Sequence, residues 1–149
     1  MSIAAIVVAA GRGRRMGGGA NKVLLPLGAK PILVHSLEVL HCSSRINRIV
    51  VVTRQEDLVA VERLTEEYGI TKASERLVLG GAERFDSVLA GLNFLADDPP
   101  EAVLIHDAAR PFLTQRIIDD TLDALNERVG AIAGVPSKDT IKEVDEAQN

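Results

Sequence analysis

Four times along this chain a short, uninterrupted apolar run gives way to a stretch of helical spacing. Ile3–Ala9 reads Ile-Ala-Ala-Ile-Val-Val-Ala, which is the texture of a strand buried on both faces. Arg48–Thr53 repeats it, Arg76–Leu79 is a shorter version, and Ala102–His106 follows. Between these runs apolar residues recur every three or four positions. Ile32, Leu33, Leu37 and Leu40 form one set, with Pro31 at the first turn. Leu58, Val61, Leu64 and Tyr68 form a second, stopped by Gly69. Phe85, Val88, Leu89, Leu92 and Leu95 form a third, closed by Asp97-Asp98-Pro99-Pro100. Thr114 caps a fourth, carrying Ile117, Ile118, Leu122 and Leu125, and Gly130–Val135 is expected as one further strand. Buried strands alternating with helices predict an α/β fold: a doubly wound, mostly parallel sheet with helices on both faces.

Composition narrows the function classes. The 149 residues fit one domain, large enough to bury a core without disulfides or a structural metal. Cys42 has no partner within the chain and is expected to be a buried or half-buried thiol, as in a reducing cytoplasm. No apolar run approaches the ~20 residues of a membrane span, and the apolar opening, with no basic residue before it, is expected to be a core strand rather than a signal peptide. The formal net charge is −4, with 17 basic and 21 acidic residues. Arg12, Arg14, Arg15 and Lys22 nevertheless gather in one glycine-rich stretch. A basic loop in an acidic protein points to a small anionic ligand rather than to nucleic acid. Aromatic residues at 3% leave little for base-stacking platforms.

In parallel α/β folds ligands bind beyond the carboxyl ends of the strands. The chemically unusual residues fall there. The stretch Ala9-Ala10-Gly11-Arg12-Gly13-Arg14-Arg15-Met16, followed by Gly17–Gly19 and Asn21-Lys22, succeeds the first strand directly. Glycines let backbone N–H groups turn toward an anion, and Arg and Lys add charge beside them. Met16 breaks the dinucleotide pattern G-x-G-x-x-G, and no Gly-Lys-Ser/Thr of a P-loop follows. The competing assignment is a surface loop with solvated arginines.

A second motif, Gly80-Gly81-Ala82-Glu83-Arg84-Phe85-Asp86-Ser87, allows close approach to a flat ligand, with Ser87 available to a base edge; a tight strand–helix turn fits equally. The third, His106-Asp107-Ala108-Ala109-Arg110-Pro111, puts a carboxylate at a strand tip. Such an oxygen donor suits a hydrated Mg²⁺, with Arg110 placed to hold a phosphate. An Asp–Arg pair stabilising a turn is the alternative. His35, His41 and His106 show no zinc spacing, Ser36, Ser43 and Ser44 lack a hydrolase setting, and Asp119-Asp120 reads as a solvated helix face.

Taken together these motifs resemble a known family. Ala9–Met16 with Asn21-Lys22-Val23-Leu24-Leu25-Pro26-Leu27-Gly28 looks like the opening of sugar-phosphate nucleotidyltransferases, which have a Rossmann-like fold. Gly-Gly-x-x-Arg-x-x-Ser-Val from Gly80, His-Asp-Ala-Ala-Arg-Pro-Phe from His106, and Pro-x-x-Asp-Thr-Ile-Lys from Pro136 narrow it. They resemble the 2-C-methyl-D-erythritol 4-phosphate cytidylyltransferases of non-mevalonate isoprenoid synthesis, and their ribitol-phosphate relatives. The resemblance implies transfer of CMP from CTP to a sugar-alcohol phosphate, with release of pyrophosphate and Mg²⁺ as cofactor. It implies catalytic roles for Arg15 and Lys22. It implies nucleotide contacts from Ala9, Ala10, Gly11, Gly13, Gly81, Arg84, Ser87, Asp107 and Ala108. Asp107 would also bind the metal, and Arg110 and Thr140 would face the acceptor phosphate.

The resemblance further implies a cytoplasmic homodimer with no nucleic-acid or membrane partner. Residues 1–137 would form the CTP-binding domain and 138–149 the start of a dimerising β-arm. The family's later acceptor-binding elements do not occur before Asn149, so the chain is expected to be C-terminally incomplete. Asn21 stands where relatives often carry Pro. A nucleotide-binding module without turnover is the reading from another functional class.

Overall fold

The computed structural model describes residues 1–11, 21–73, 76–126, 128–136 and 138. Strand β1 (Ile3–Val8) is followed by a two-residue hairpin pair, β2 (Pro26–Leu27) and β3 (Lys30–Pro31), then helix α1 (Ile32–Cys42). Strand β4 (Arg48–Thr53), helix α2 (Leu58–Glu67), strand β5 (Leu77–Leu79) and helix α3 (Arg84–Phe94) come next. Strand β6 (Ala102–Asp107) and helix α4 (Gln115–Asp123) complete the order.

The main sheet runs β5-β4-β1-β6, with every pairing parallel. Ile6 of β1 lies between Val50 of β4 and Ile105 of β6. Alternation along β1 divides the core. Ile3, Ala5 and Val7 face Leu33, Leu37 and Leu40 of α1, Val61 of α2, and Ile118 and Leu122 of α4. Ala4 and Ile6 face the opposite side, where α3 crosses. The expected α/β sheet with helices on both faces is therefore present.

Local chemistry accounts for the helix ends. Gly69 takes a φ of +64°, open to glycine at little cost, and closes α2 while Ile70 N–H donates to the Thr65 carbonyl at 2.8 Å. Thr114 accepts from the Ile117 N–H at 3.2 Å and so caps α4. Asp86 reaches back to accept from the Glu83 N–H at 3.0 Å before α3. No helix among the described residues is long and apolar enough to cross a membrane.

Two expectations are corrected, those for Gly130–Val135 and for Cys42. Gly130–Val135 forms no strand; Ile132 and Val135 are 95% and 90% exposed. Four of its six residues are Gly or Ala, which add little side-chain burial to a ladder. Gly130, Ala131, Ile132 and Ala133 line a cavity of about 500 Å³ together with residues of β6, and the segment does not pair with that strand. Helix α3 forms, yet Phe85, Leu89 and Leu92 face outward while Ser87 and Gly91 meet the sheet. Cys42 is exposed, at the end of α1. The β-arm expected over 138–149 lies, except for Lys138, outside the described residues.

Candidate active site

Chain direction across the sheet reverses at β1. The strands β4 and β5 lie to one side of it and β6 to the other. The crevice where such an order reverses is the usual ligand site of open parallel sheets. Val8 and Asp107 end β1 and β6 side by side in register. The strand ends are stitched together past the sheet: Ala9 N–H donates to the Val52 carbonyl at 2.7 Å, and Ala108 N–H to the Val8 carbonyl at 3.0 Å. Gly80 N–H donates to the Thr53 carbonyl at 2.8 Å.

Ala9, Ala10 and Ala108 are buried and form a floor of small side chains, while Gly11 is exposed beyond it. Gly80 completes this floor. A Cβ there would stand 2.4 Å from the Ala10 Cβ and 2.7 Å from the Ser87 Oγ. The sequence pattern singled out Gly81, whose hypothetical Cβ instead meets Asp86 of its own turn at 2.3 Å. Ser87 is buried, and its hydroxyl donates to the Glu83 carbonyl at 3.1 Å.

Charge gathers at the tip of β6. Arg84, at the start of α3, places Nε 2.9 Å from Asp107 Oδ1, and Arg110 places Nε 3.2 Å from Asp107 Oδ2. Both carboxylate oxygens are thus engaged by guanidinium groups, and both arginines are mainly exposed. The Asp–Arg turn pair weighed from sequence is present, and Arg84 joins it from across the crevice. A lone carboxylate at a strand tip is a poor all-protein metal cage, and no cluster of three His, Cys, Asp or Glu occurs among the described residues. It does suit a cation that brings phosphate oxygens and water as its remaining ligands.

Behind this tip, the buried Ser36 of α1 donates its hydroxyl to the Arg110 carbonyl at 3.2 Å. His106 Nε2 lies 3.0 Å from the same hydroxyl and, with that proton committed, acts as donor. Burial pushes the His106 imidazole below its ordinary value; the Arg110 backbone and the Asp107 charge oppose that shift, and the Arg110 charge adds to it.

Lys22 is exposed on a 3-10 turn, Lys22–Leu24, that follows the glycine-rich stretch. The residue before it, Asn21, is 1% exposed. Its side-chain amide donates to the Ala9 carbonyl and to Asp57 Oδ2, both at 2.8 Å. Asp57 also accepts from Arg54 Nε at 2.6 Å. That hydrogen bond is the main reason the Arg54 guanidinium holds its proton more tightly than usual. Asn21, Asp57, Ser36 and Gly80 were not among the residues assigned from the sequence. A polar residue between Ala20 and Lys22 was the one available hint of Asn21. Arg15, Gly13 and Thr140 lie outside the described residues.

Comparison with known proteins identifies the family. The family model for 2-C-methyl-D-erythritol 4-phosphate cytidylyltransferase (IspD) matches residues 3–149. A protein of that name from Halalkalibacterium halodurans is 40% identical over 97% of this chain and 62% of its own length. One from Shouchella clausii is 44% identical over the same shares. The crystal structure of 4-diphosphocytidyl-2C-methyl-D-erythritol synthase from Anaerococcus prevotii superposes with a TM-score of 0.83 at 30% identity, covering 99% of this chain and 62% of that one. The chain spans about 62% of the length of these curated relatives. With a reversing parallel sheet, an arginine-flanked aspartate at its switch point and a family match along nearly every residue, this chain belongs to the 2-C-methyl-D-erythritol 4-phosphate cytidylyltransferase family.

Proposed function

We propose that this chain carries the CTP-binding part of a cytidylyltransferase that transfers CMP from CTP to 2-C-methyl-D-erythritol 4-phosphate. The observation that supports this most is the convergence of Arg84 and Arg110 on Asp107, beside the alanine floor at the β1–β6 switch point. Such a crevice offers small backbone-lined surfaces for a nucleotide and positive charge for phosphates.

In the proposed reaction an oxygen of the acceptor phosphate attacks the α-phosphorus of CTP. The bond from that phosphorus to the bridging oxygen breaks, and pyrophosphate departs with the electron pair. Little covalent chemistry falls to the protein, so catalysis is positioning and charge stabilisation. Lys22 and Arg15 supply positive charge to the reacting phosphates. Ala9, Ala10, Gly11 and Gly13 line the nucleotide through their backbone. Gly81, Arg84 and Ser87 serve the cytosine, Ala108 lies at the ribose, and Arg110 and Thr140 face the acceptor phosphate. Asp107 would hold Mg²⁺, which neutralises charge on the triphosphate oxygens. A homodimer built through the segment beyond Ser137 and a cytoplasmic setting belong to the same proposal.

Calorimetric titration with CTP and with ATP, each with and without Mg²⁺, tests this reading. Saturable binding that needs Mg²⁺ and favours CTP is expected. A folded chain that binds neither nucleotide overturns it. Pyrophosphate release with ribitol 5-phosphate in preference to methylerythritol phosphate would move the assignment to the other acceptor. CTP binding without any turnover, in a protein extended by the family's remaining C-terminal part, would leave a nucleotide-binding module.

A further inference from the structure

Asp57 stands immediately before α2, where an aspartate ordinarily accepts hydrogen bonds from the first free N–H groups of the helix. It makes no such bond. Its carboxylate, in a residue only 7% exposed, is turned to the guanidinium of Arg54 and the side-chain amide of Asn21. Burying a carboxylate is unfavourable unless it is paired and hydrogen-bonded, so this orientation is specified rather than incidental.

Asn21 leaves no freedom in the arrangement. Both amide protons are committed, one to Asp57 and one to the Ala9 carbonyl, while Oδ1 accepts from the Val23 N–H at 3.3 Å. Flipping the amide would set an oxygen against two acceptors, so one orientation satisfies the network. Two further bonds shape the turn: Leu24 N–H to the Asn21 carbonyl at 3.0 Å and Leu25 N–H to the Lys22 carbonyl at 3.1 Å. Asn21 therefore ties the backbone of Lys22 to the end of β1. Asp57 and Arg54 tie Asn21 to the end of β4.

We infer that Asp57 is a positioning residue for nucleotidyl transfer, acting through Asn21 to hold Lys22 in register with the Ala9 carbonyl. The inference rests on the reading above, in which Lys22 meets the reacting phosphates. An ammonium on an exposed side chain has many rotamers; fixing its backbone narrows where the charge can reach. A group that is misplaced by an ångström in a reaction run on positioning loses rate without losing ligand binding.

Asp57→Asn is the primary variant, because it keeps the shape while removing the charge and one acceptor oxygen. Asn21→Ser is the second. It severs the link while leaving the Arg54–Asp57 pair in place, which protects folding. Hydrogen exchange at Val23, Leu24 and Leu25 should accelerate about tenfold as local opening becomes easier, while exchange within α2 stays unchanged. In the protein extended by the family's remaining C-terminal part, supplied with CTP and acceptor, kcat should fall about 10- to 100-fold with KM for CTP within about twofold of the parent. Unaltered exchange at residues 23–25 in both variants overturns the inference. So does accelerated exchange with unaltered kcat. A parent chain that fails to bind CTP would instead remove the functional reading, and the exchange result would still decide whether Asp57 fixes this turn.

Discussion

At the scale of single residues, Asp107 carries the sharpest question, because one carboxylate fits two roles. As a turn-stabilising partner it engages Arg84 and Arg110; as a cation ligand it turns a further lone pair of one of those oxygens to the metal. Magnitude separates the roles. Both arginine side chains are mostly exposed, and ion pairs of that kind contribute about 0–1 kcal/mol. Asp107→Asn should therefore shift the denaturant midpoint only slightly, while abolishing the Mg²⁺ dependence of CTP binding in calorimetry. A large stability loss with Mg²⁺ dependence intact would show a structural pair and nothing more. The strand-tip aspartate and its partner Arg110 were legible in the sequence because only Ala108 and Ala109 separate them. The approach of Arg84 was not, since 23 residues and a crossover helix separate it from Asp107. Asn21 and Asp57 were missed for the same reason: their meaning lies in a contact across 36 positions.

At the scale of elements, periodicity identified strands and helices but not which helix face would be buried. Helix α3 shows why. Its large apolar residues repeat at helical spacing, yet Phe85 is 73% exposed and the sheet is met by Ser87 and Gly91. Close approach to β1 and β4 selects small residues, which a hydrophobic pattern does not register. A Cβ on Gly91 would stand 2.8 Å from Ile6 Cγ2, 3.1 Å from Ile6 Cδ1 and 3.2 Å from Val52 Cγ2. Ile6 and Val52 are fully buried in the sheet and have no room to withdraw. Helix propensity favours Ala over Gly by about 1 kcal/mol, whereas overpacking costs about 1–3 kcal/mol. Gly91→Ala should thus be destabilising in urea unfolding despite its better propensity. Gly130→Ala, with open space around it, is the control and should leave stability within about 0.5 kcal/mol. A stabilised Gly91→Ala would mean that α3 sits further from the sheet than these distances state. The absent strand at Gly130–Val135 is the converse case: its apolar pattern was readable, but a strand needs a partner, and pairing is not written in a single segment.

At the scale of the whole molecule, the order β5-β4-β1-β6 brings three separated loops to one crevice. The alternation of strand and helix was enough to expect a parallel sheet and a site at its carboxyl edge; which strand would mark the reversal required the topology itself. His106 links that crevice to the stability of the fold. It belongs to β6, hydrogen-bonds to Ser36 of α1, and through Ser36 reaches the Arg110 carbonyl in the loop that follows. Burial lowers its folded-state pKa, and the charged groups acting on it, Asp107 and Arg110, oppose each other. In the unfolded chain the imidazole takes up a proton near its ordinary value of about 6.5. Between that value and the lower folded one, the unfolded state binds more protons, so stability falls as pH falls. The contribution is complete above about pH 6.5 and is lost progressively as pH drops through the folded value. Unfolding midpoints recorded from pH 8 to pH 5 should therefore fall more steeply for the parent than for His106→Gln, whose amide can still donate to Ser36 but does not titrate. Groups remote from position 106 are common to both proteins and cancel in the difference. Parallel profiles would show that protonation at position 106 is tolerated in the fold, and that the Ser36 bond alone, without an uncharged imidazole, holds the Arg110 loop in place.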